Sequence, residues 1–395
     1  MVIPRLATSA DIERAAEVAG QSGRIGIDTE FISEGRYRPL LCLVQLAVAD
    51  ARGNPATDIA LVDALAGNPP MTPIAAVLED PGIEVVVHAG RQDIAILRRA
   101  SGRDVQNVFD TQIAGGFVGS SAQTGYGNLV DSVLGRRVGK TASYTRWDTR
   151  PLSAEQLRYA AEDVAHLLPL ADELKRRLRK SGRLEWALEE CRRLEGASDE
   201  RDPETAWERL PRVNQLDPRS RAVARALAAW RERTAAEDDR PVGSVLADQV
   251  LVEVARRRPQ TLEDLSHIRG IHRSTLRRRG QPILDAVERG RRDPPIPRER
   301  TQPRSDAADG PVIALVESWL RARALELGLA YELIASRAEL EALIGAARRG
   351  DPEPPVRALT GWRARLVGSD LRSLVAGKRA IAVGDDLRLR LVPAQ

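Results

Sequence analysis

The sequence predicts an α/β domain over residues 1–200 followed by two all-α modules. Three observations predict this class. Strand-like and helix-like segments alternate through the first 200 residues, the strand signal vanishes after about residue 205, and a stretch rich in proline and charge at 293–310 divides the helical remainder.

Helical periodicity covers 11–20, and the apolar run Ile25-Gly26-Ile27 makes 24–28 a strand. Leu40–Val48 is apolar nearly throughout, the pattern of a strand covered on both faces. Shorter apolar runs place strands at 59–62 and 84–88, with helices at 73–80, 92–100, 110–118, 127–134 and 154–180. Beyond 205, segments 205–210, 219–235, 244–257, 261–267, 272–278 and 281–289 are helical in pattern, punctuated by Pro211, Pro218, Pro241, Pro259 and Gly270. The stretch 293–310 reads as a linker. A second helical block of similar size, from 312 to about 383, reads as a diverged internal duplication.

Composition narrows the function. A chain of 395 residues with 43% hydrophobic content has material for two or three ordinary domains. No apolar run reaches the ~18 residues of a membrane span, and the N-terminus lacks the basic-then-apolar pattern of a signal peptide. Two cysteines, Cys42 and Cys191, make no disulfide framework, so the expected location is the cytoplasm. The net charge of +4 is unevenly spread: residues 1–200 hold 24 Lys+Arg against 28 Asp+Glu, and residues 201–395 hold 36 against 28. An acidic front half and a basic back half suggest that catalysis and grip on a polyanion are divided between domains. On that division, residues 1–200 alone should retain the chemistry without the grip.

The chemistry concentrates in five residues. Asp28 and Glu30 lie two apart on a strand and so project from one face. Tyr159 and Asp163 lie four apart on a helix and share its face. Asp93 opens a helix just after the apolar strand Val85-Val86-Val87-His88. Solvated surface is a poor account of Asp28 and Glu30, because unpaired charge within an apolar strand is costly. Hard oxygen ligands without a cysteine or histidine partner suit Mg²⁺ or Mn²⁺ rather than zinc. Such a cluster serves phosphoryl transfer with two metals about 3.5–4 Å apart.

These residues sit in motifs that resemble a known family. Asp28-Thr29-Glu30-Phe31 with Pro39-Leu40-Leu41-Cys42-Leu43-Val44-Gln45-Leu46-Ala47 resembles the first exonuclease motif of the ribonuclease D family. His88-Ala89-Gly90-Arg91-Gln92-Asp93 resembles the second, and Tyr159-Ala160-Ala161-Glu162-Asp163-Val164 the third. Phe109-Asp110-Thr111-Gln112-Ile113-Ala114 and Arg150-Pro151-Leu152-Ser153 match segments between them. Residues 205–292 resemble an HRDC module, and 311–395 a more divergent copy in which Leu333-Ile334-Ala335-Ser336-Arg337 is the clearest piece.

The resemblance implies a 3′→5′ exoribonuclease whose domain at 1–200 is ribonuclease H-like, a mixed sheet with flanking helices, followed by two HRDC-type domains. It implies Asp28, Glu30, Asp93 and Asp163 as ligands of two divalent cations, Mg²⁺ or Mn²⁺, and Tyr159 as the residue positioning the attacking water. The sister subclass carries a histidine five residues before the last aspartate, where this chain has Arg158. The expected partner is RNA, with tRNA precursors as the implied substrate; nothing points to a membrane or to an obligate protein partner. The segment Ile32-Ser33-Glu34-Gly35-Arg36-Tyr37 departs from relatives that carry a more basic stretch there.

Other residues leave their alternatives open. Tyr159, taken alone, is as consistent with core packing as with catalysis. His88 and Phe31 read as a substrate wall, and His166 as a packing or surface residue rather than a ligand. Trp207, Trp230, Trp319 and Trp362 sit at helix-like core positions. Between Arg256 and Arg292 lie eleven arginines and four acids. Within that run Arg256, Arg257, Arg258, Arg269, Arg273, Arg277, Arg278 and Arg279 are candidates for phosphate contact. With 4% aromatic residues, backbone contact fits better than base readout. Two other functions stay open: a DNA 3′→5′ exonuclease with the same metal chemistry, and a non-catalytic nucleic-acid-binding scaffold.

Overall fold

The computed structural model describes residues 4–49, 58–66, 71–139, 146–297, 308–351 and 354–394. It divides into two units, the first comprising 1–30, 41–198 and 302–395, the second 31–40 and 199–301. Among the described residues no helix is long and apolar enough to cross a membrane.

The first unit opens with α1 (Ser9–Ser22), started by a capping box between Thr8 and Asp11 and ended at Gly23 in the left-handed region. Strands β1 (Arg24–Ile32), β2 (Leu40–Val48) and β3 (Asp58–Asp63) follow, then α2 (Met71–Glu79), β4 (Glu84–Val87), α3 (Arg91–Ser101) and β5 (Val108–Asp110). Helices α4 (Thr111–Gly116), α5 (Tyr126–Leu134), α6 (Ala154–Ala165), α7 (Leu167–Lys180) and α8 (Leu184–Glu195) complete this part. The five strands form one mixed sheet in the order β3-β2-β1-β4-β5. β4 runs parallel to β1 and β5, and β2 pairs antiparallel with β3. Ala47, Val86 and Phe109 share a core with Leu167, Leu168 and Leu174 of α7. α7 lies close because β1 carries Gly26 there: an added Cβ would sit 3.2 Å from Leu167 Cβ.

Three local expectations change. The segment 110–118 is preceded by the short strand β5, and its helix spans only Thr111–Gly116. The run 154–180 is two helices broken at His166, whose backbone N–H is taken by the Tyr126 hydroxyl at 3.0 Å. Helix α8 was not expected.

The second unit contains α9 (Pro218–Glu237), α10 (Val242–Val245), α11 (Asp248–Arg257), α12 (Leu262–Ser266) and α13 (Arg273–Arg292). Asp217 caps α9 by accepting from the N–H groups of Arg219 and Ser220, with Pro218 in the first turn, where no N–H is needed. α13 runs unbroken through Pro282, where two helices were expected; the carbonyl that Pro282 leaves free belongs to Arg278, on an exposed turn. The core gathers Trp207, Leu227, Leu251, Leu265, Ile283 and Val287. Residues 31–40 belong to this unit through Tyr37. Its hydroxyl donates to Glu232 at 2.8 Å, its N–H to Asp239 at 3.2 Å, and the guanidinium groups of Arg38 and Arg201 lie over its ring at 5.7 and 5.5 Å. Burial and the Glu232 carboxylate push the Tyr37 phenol up to about 12. The stretch flagged as departing from relatives is thus engaged in protein contacts.

Most of the proline-rich linker, 298–307, lies outside the described residues. The chain then returns to the first unit with α14 (Asp309–Leu327), α15 (Tyr331–Ile334), α16 (Arg337–Arg348), α17 (Gly361–Arg363) and α18 (Ser369–Val375). This module is not all-α. It ends in an antiparallel hairpin, β6 (Arg379–Val383) and β7 (Leu389–Pro393), in which Ile381 pairs with Leu391. Both of those side chains pack against the core. Trp319, Leu320, Ile334 and Trp362 share one hydrophobic cluster with Phe117, Leu129 and Leu174 of the N-terminal part. Trp207, Trp319 and Trp362 are buried core residues, as expected, and Trp230 packs against the core.

Candidate active site

Asp28 and Glu30 leave β1 on one face, and Asp163 meets them from α6. One carboxylate oxygen from each lies within 4.8 Å of the others, the acidic cluster found among the described residues. Asp93 stands in the first turn of α3, where its carboxylate accepts a hydrogen bond from the buried Thr29 hydroxyl. It joins the cluster electrostatically, since its charge raises both Asp28 and Glu30.

The four acids strain against one another. Burial first, and then the charges of Asp93, Asp163 and Glu30, push Asp28 well above the usual carboxylate range. Burial, Asp163 and Asp93 carry Glu30 up to about 8. Asp163 reaches about 7 through burial, with its Tyr159 hydrogen bond acting in the opposite direction. Asp93 is also raised, by burial above all. Such a site calls for positive charge, and oxygen donors alone suit a hard divalent cation.

Tyr159 shares the α6 face of Asp163 and hydrogen-bonds to it. Burial and the surrounding carboxylates raise its phenol further, so it stays protonated and serves as a donor. The buried Trp147 ring packs beside it at 6.1 Å. The structure therefore adds Thr29 and Trp147 to the residues sequence reasoning named.

Local chemistry fixes each support. A capping box between Ser153 and Gln156 starts α6. Arg150, just before it, donates to Asp63 at 2.7 Å and to the Cys42 carbonyl at 3.0 Å, tying the approach to α6 to β3 and β2. Buried Asp110 caps α4 and also accepts from the N–H groups of Ala89 and Gly90 at 3.2 and 2.9 Å. That holds the turn launching α3 and Asp93. Only glycine fits at its end, since a Cβ on Gly90 would lie 2.5 Å from Val87 Cγ2.

His88 Nδ1 lies 2.9 Å from Thr111 Oγ1. That hydroxyl donates to the Val87 carbonyl, so it accepts from Nδ1–H, and Nε2 is left as a buried acceptor. Burial lowers the His88 pKa and keeps the ring neutral. The ring meets Tyr126 edge-on at 5.5 Å. Phe31 alternates with Glu30 and so shares the side of β1 that carries Thr29. His166 lies outside the cluster of Asp28, Glu30 and Asp163, at the junction of α6 and α7.

The arginine run sorts into three groups. Arg269, Arg273, Arg277 and Arg278 are exposed and carry no ion pair among the described residues. Arg256 and Arg257 are exposed but paired with Glu253 at 2.8 and 2.7 Å, and Arg258 is half-buried at the end of α11. Arg279 contradicts the expectation of phosphate contact. It is 8% exposed and bound to Asp238 at 2.7 Å, because its place on α13 falls on the buried stripe with Ile283 and Ala286.

Comparison with known proteins fits this arrangement. A family model described as 3′-5′ exonuclease matches residues 5–179, and one described as HRDC domain matches 220–287. A protein named Ribonuclease D from Gluconacetobacter diazotrophicus is 35% identical over 393 residues, covering 98% of this chain and 96% of its own. Another of that name, from Granulibacter bethesdensis, is 37% identical over 399 residues with the same two coverages. The crystal structure of Escherichia coli RNase D, described as an exoribonuclease involved in structured RNA processing, matches with a TM-score of 0.81 at 30% identity. That match covers 95% of this chain and 99% of that one. The exonuclease motifs, the fold they imply and relatives along nearly its full length place this chain in the ribonuclease D family of 3′→5′ exoribonucleases.

Proposed function

We propose that this protein trims the 3′ ends of structured RNA, tRNA precursors among them, releasing nucleoside 5′-monophosphates one at a time. The observation that carries the reading is the convergence of Asp28, Glu30 and Asp163 within 4.8 Å, with Tyr159 bonded to Asp163. Asp28, Glu30, Asp93 and Asp163 would hold two divalent cations, Mg²⁺ or Mn²⁺. The raised carboxyl pKa values fit that role, because the cluster lacks the countercharge that would let all four ionise. Bound there, the cations supply Lewis acidity to the attacking water and to the scissile phosphate. Tyr159 donates its hydroxyl to orient the water, and Thr29 holds the Asp93 carboxylate in place. Phe31 and His88 serve as walls for the terminal nucleotide.

The exposed Arg269, Arg273, Arg277 and Arg278 support sequence-independent contact with RNA phosphates by the HRDC module. Residues 311–395 are read as a second, divergent HRDC-like module. Cys42 and Cys191, buried and not joined in a disulfide, support a cytoplasmic setting.

A digestion series tests the reading: 3′-labelled and 5′-labelled RNA and DNA, with Mg²⁺, Mn²⁺ or EDTA, for the parent and for Asp28→Asn. Mononucleotides should appear from RNA 3′ ends with either metal, and neither with EDTA nor from the variant. Equal cleavage of DNA would move the assignment to a DNA exonuclease, and no cleavage at all would leave a binding scaffold. A variant rate within about threefold of the parent would rule out metal catalysis, whose contribution is several kcal/mol.

A further inference from the structure

Gln45 is fully buried on β2, and neither its amide oxygen nor its amide nitrogen has a hydrogen-bond partner among the described residues. The strands place it beside Asp28. An ideal Cβ on Gly26 would lie 3.3 Å from Ala47 Cβ, so these two residues are neighbours across β1 and β2. The connection 33–39 is too short for a crossover, so the two strands run antiparallel. Counting two residues forward from Gly26 and two back from Ala47 sets Asp28 opposite Gln45. Both stand on the face where Ala47 and Val86 meet Leu167.

An amide in that position is expensive to keep. Leaving a buried polar group unmatched costs about 1–3 kcal/mol, and nearly all such groups in folded proteins are satisfied. Leucine or methionine would fill a similar volume without that penalty. Beside it, Asp28 is surrounded by the charges of Asp93, Asp163 and Glu30. Carboxylates that bind metals are themselves held by hydrogen bonds from a surrounding shell. A neutral amide can donate to an ionised carboxylate without adding charge to the site.

We propose that Gln45 is a positioning residue whose amide N–H, directly or through one buried water, holds Asp28 in the orientation that binds a cation. The inference rests on the divalent-cation reading of the acidic cluster. Gln45 touches neither substrate nor reacting atoms; it acts through Asp28.

The test uses the full chain and Mn²⁺ as the probe, with two readouts: calorimetric affinity and the melting temperature with and without the ion. Gln45→Leu roughly conserves volume and removes both unmatched groups. The metal-free variant should melt at the same temperature as the parent or higher, while its Mn²⁺ affinity falls about tenfold or more. The gain in melting temperature on adding Mn²⁺ should shrink in step. A variant with parental Mn²⁺ affinity overturns the proposal, whatever its melting temperature, and makes Gln45 a packing residue. Should Gln45→Leu fail to fold, Gln45→Met is judged by the same affinity criterion. A parent that binds no Mn²⁺ would instead refute the cation reading, so the two failures are distinct.

Discussion

Arg363 and Glu190 meet end to end, Nη1 to Oε1 at 2.6 Å and Nη2 to Oε2 at 2.8 Å, with the guanidinium wholly out of solvent. Trp362 Nε1 donates to the same carboxylate at 3.1 Å, and Arg363 Nε donates to the Leu333 carbonyl at 2.6 Å. Burial raises the Glu190 pKa, but the Arg363 contacts outweigh it and hold the carboxyl below its ordinary value. Glu190 belongs to α8 and Arg363 to α17, so this fork fastens the C-terminal module to the exonuclease fold. Arg363→Met leaves the buried Glu190 carboxylate with only the more distant Arg193, at 3.4 Å, as countercharge. The expected loss is about 3–5 kcal/mol, read by urea denaturation.

The same attachment changes what truncation after residue 200 should do. The charge division suggested a free-standing catalytic half. Without 302–395, however, Phe117 and Trp186 lose the Trp362 ring they pack against, at 5.1 and 5.3 Å, and Glu190 keeps only Arg193 of its two arginine partners. The fragment should aggregate or lose fixed tertiary packing, visible by gel filtration and near-ultraviolet circular dichroism. A compact, active fragment would show that these contacts are dispensable.

The acidic cluster makes metal-free stability depend on pH. Glu30 and Asp163 titrate near 8 and 7 in the folded protein, against about 4 when unfolded. The folded state therefore keeps protons that the unfolded chain releases. That contribution is fully present below pH ~4 and is lost as the pH rises through 7 to 8. In EDTA the melting temperature should fall across this window, and excess Mg²⁺ or Asp163→Asn should flatten the decline. Parallel melting curves in EDTA and Mg²⁺ would contradict it.

Tyr159→Phe deletes one hydroxyl that donates at the site and removes no metal ligand. Cleavage should slow about 10–1000-fold while calorimetric metal affinity is kept. Loss of metal affinity in this variant would make the tyrosine a support for Asp163 instead.

Replacing Arg269, Arg273, Arg277 and Arg278 together with alanine should weaken RNA binding across sequences. If each contacts one phosphate, the slope of log affinity against log salt should lessen by about three. Arg279→Ala should leave that slope alone and lower stability, because it breaks the ion pair with Asp238. An unchanged slope in the fourfold variant would place the grip on RNA elsewhere.

The legible part of the site is the part set by local periodicity. Asp28 with Glu30, and Tyr159 with Asp163, needed only the spacings of a strand and a helix. What escaped depends on residues distant in sequence: the Thr29 hydroxyl on Asp93 and the Asp110 carboxylate under Gly90. β5 has three residues, too few to show alternation, while the break between α6 and α7 was signalled by Pro169, which gives no N–H to the Ala165 carbonyl at the end of α6, and was hidden by helical periodicity that continues across it. The hairpin at the C-terminus was missed because its strands bury little: Ile381 and Leu391 are only half-buried. Arg279 was readable in principle. In a run of three arginines only helix phase separates the inward one, and Ile283 and Ala286, four and seven residues on, supply that phase.

Because residues 31–40 belong with 199–301, the HRDC module is not a cassette that can be excised at its own ends. A graft bringing in a foreign module at 205–292 would strand the Tyr37 hydroxyl without Glu232, and Arg36 without Asp239. It would do so in the segment that follows Glu30 in the chain. The exchangeable part is a pair of sequence pieces, and chimeras among relatives should stay folded when both pieces travel together.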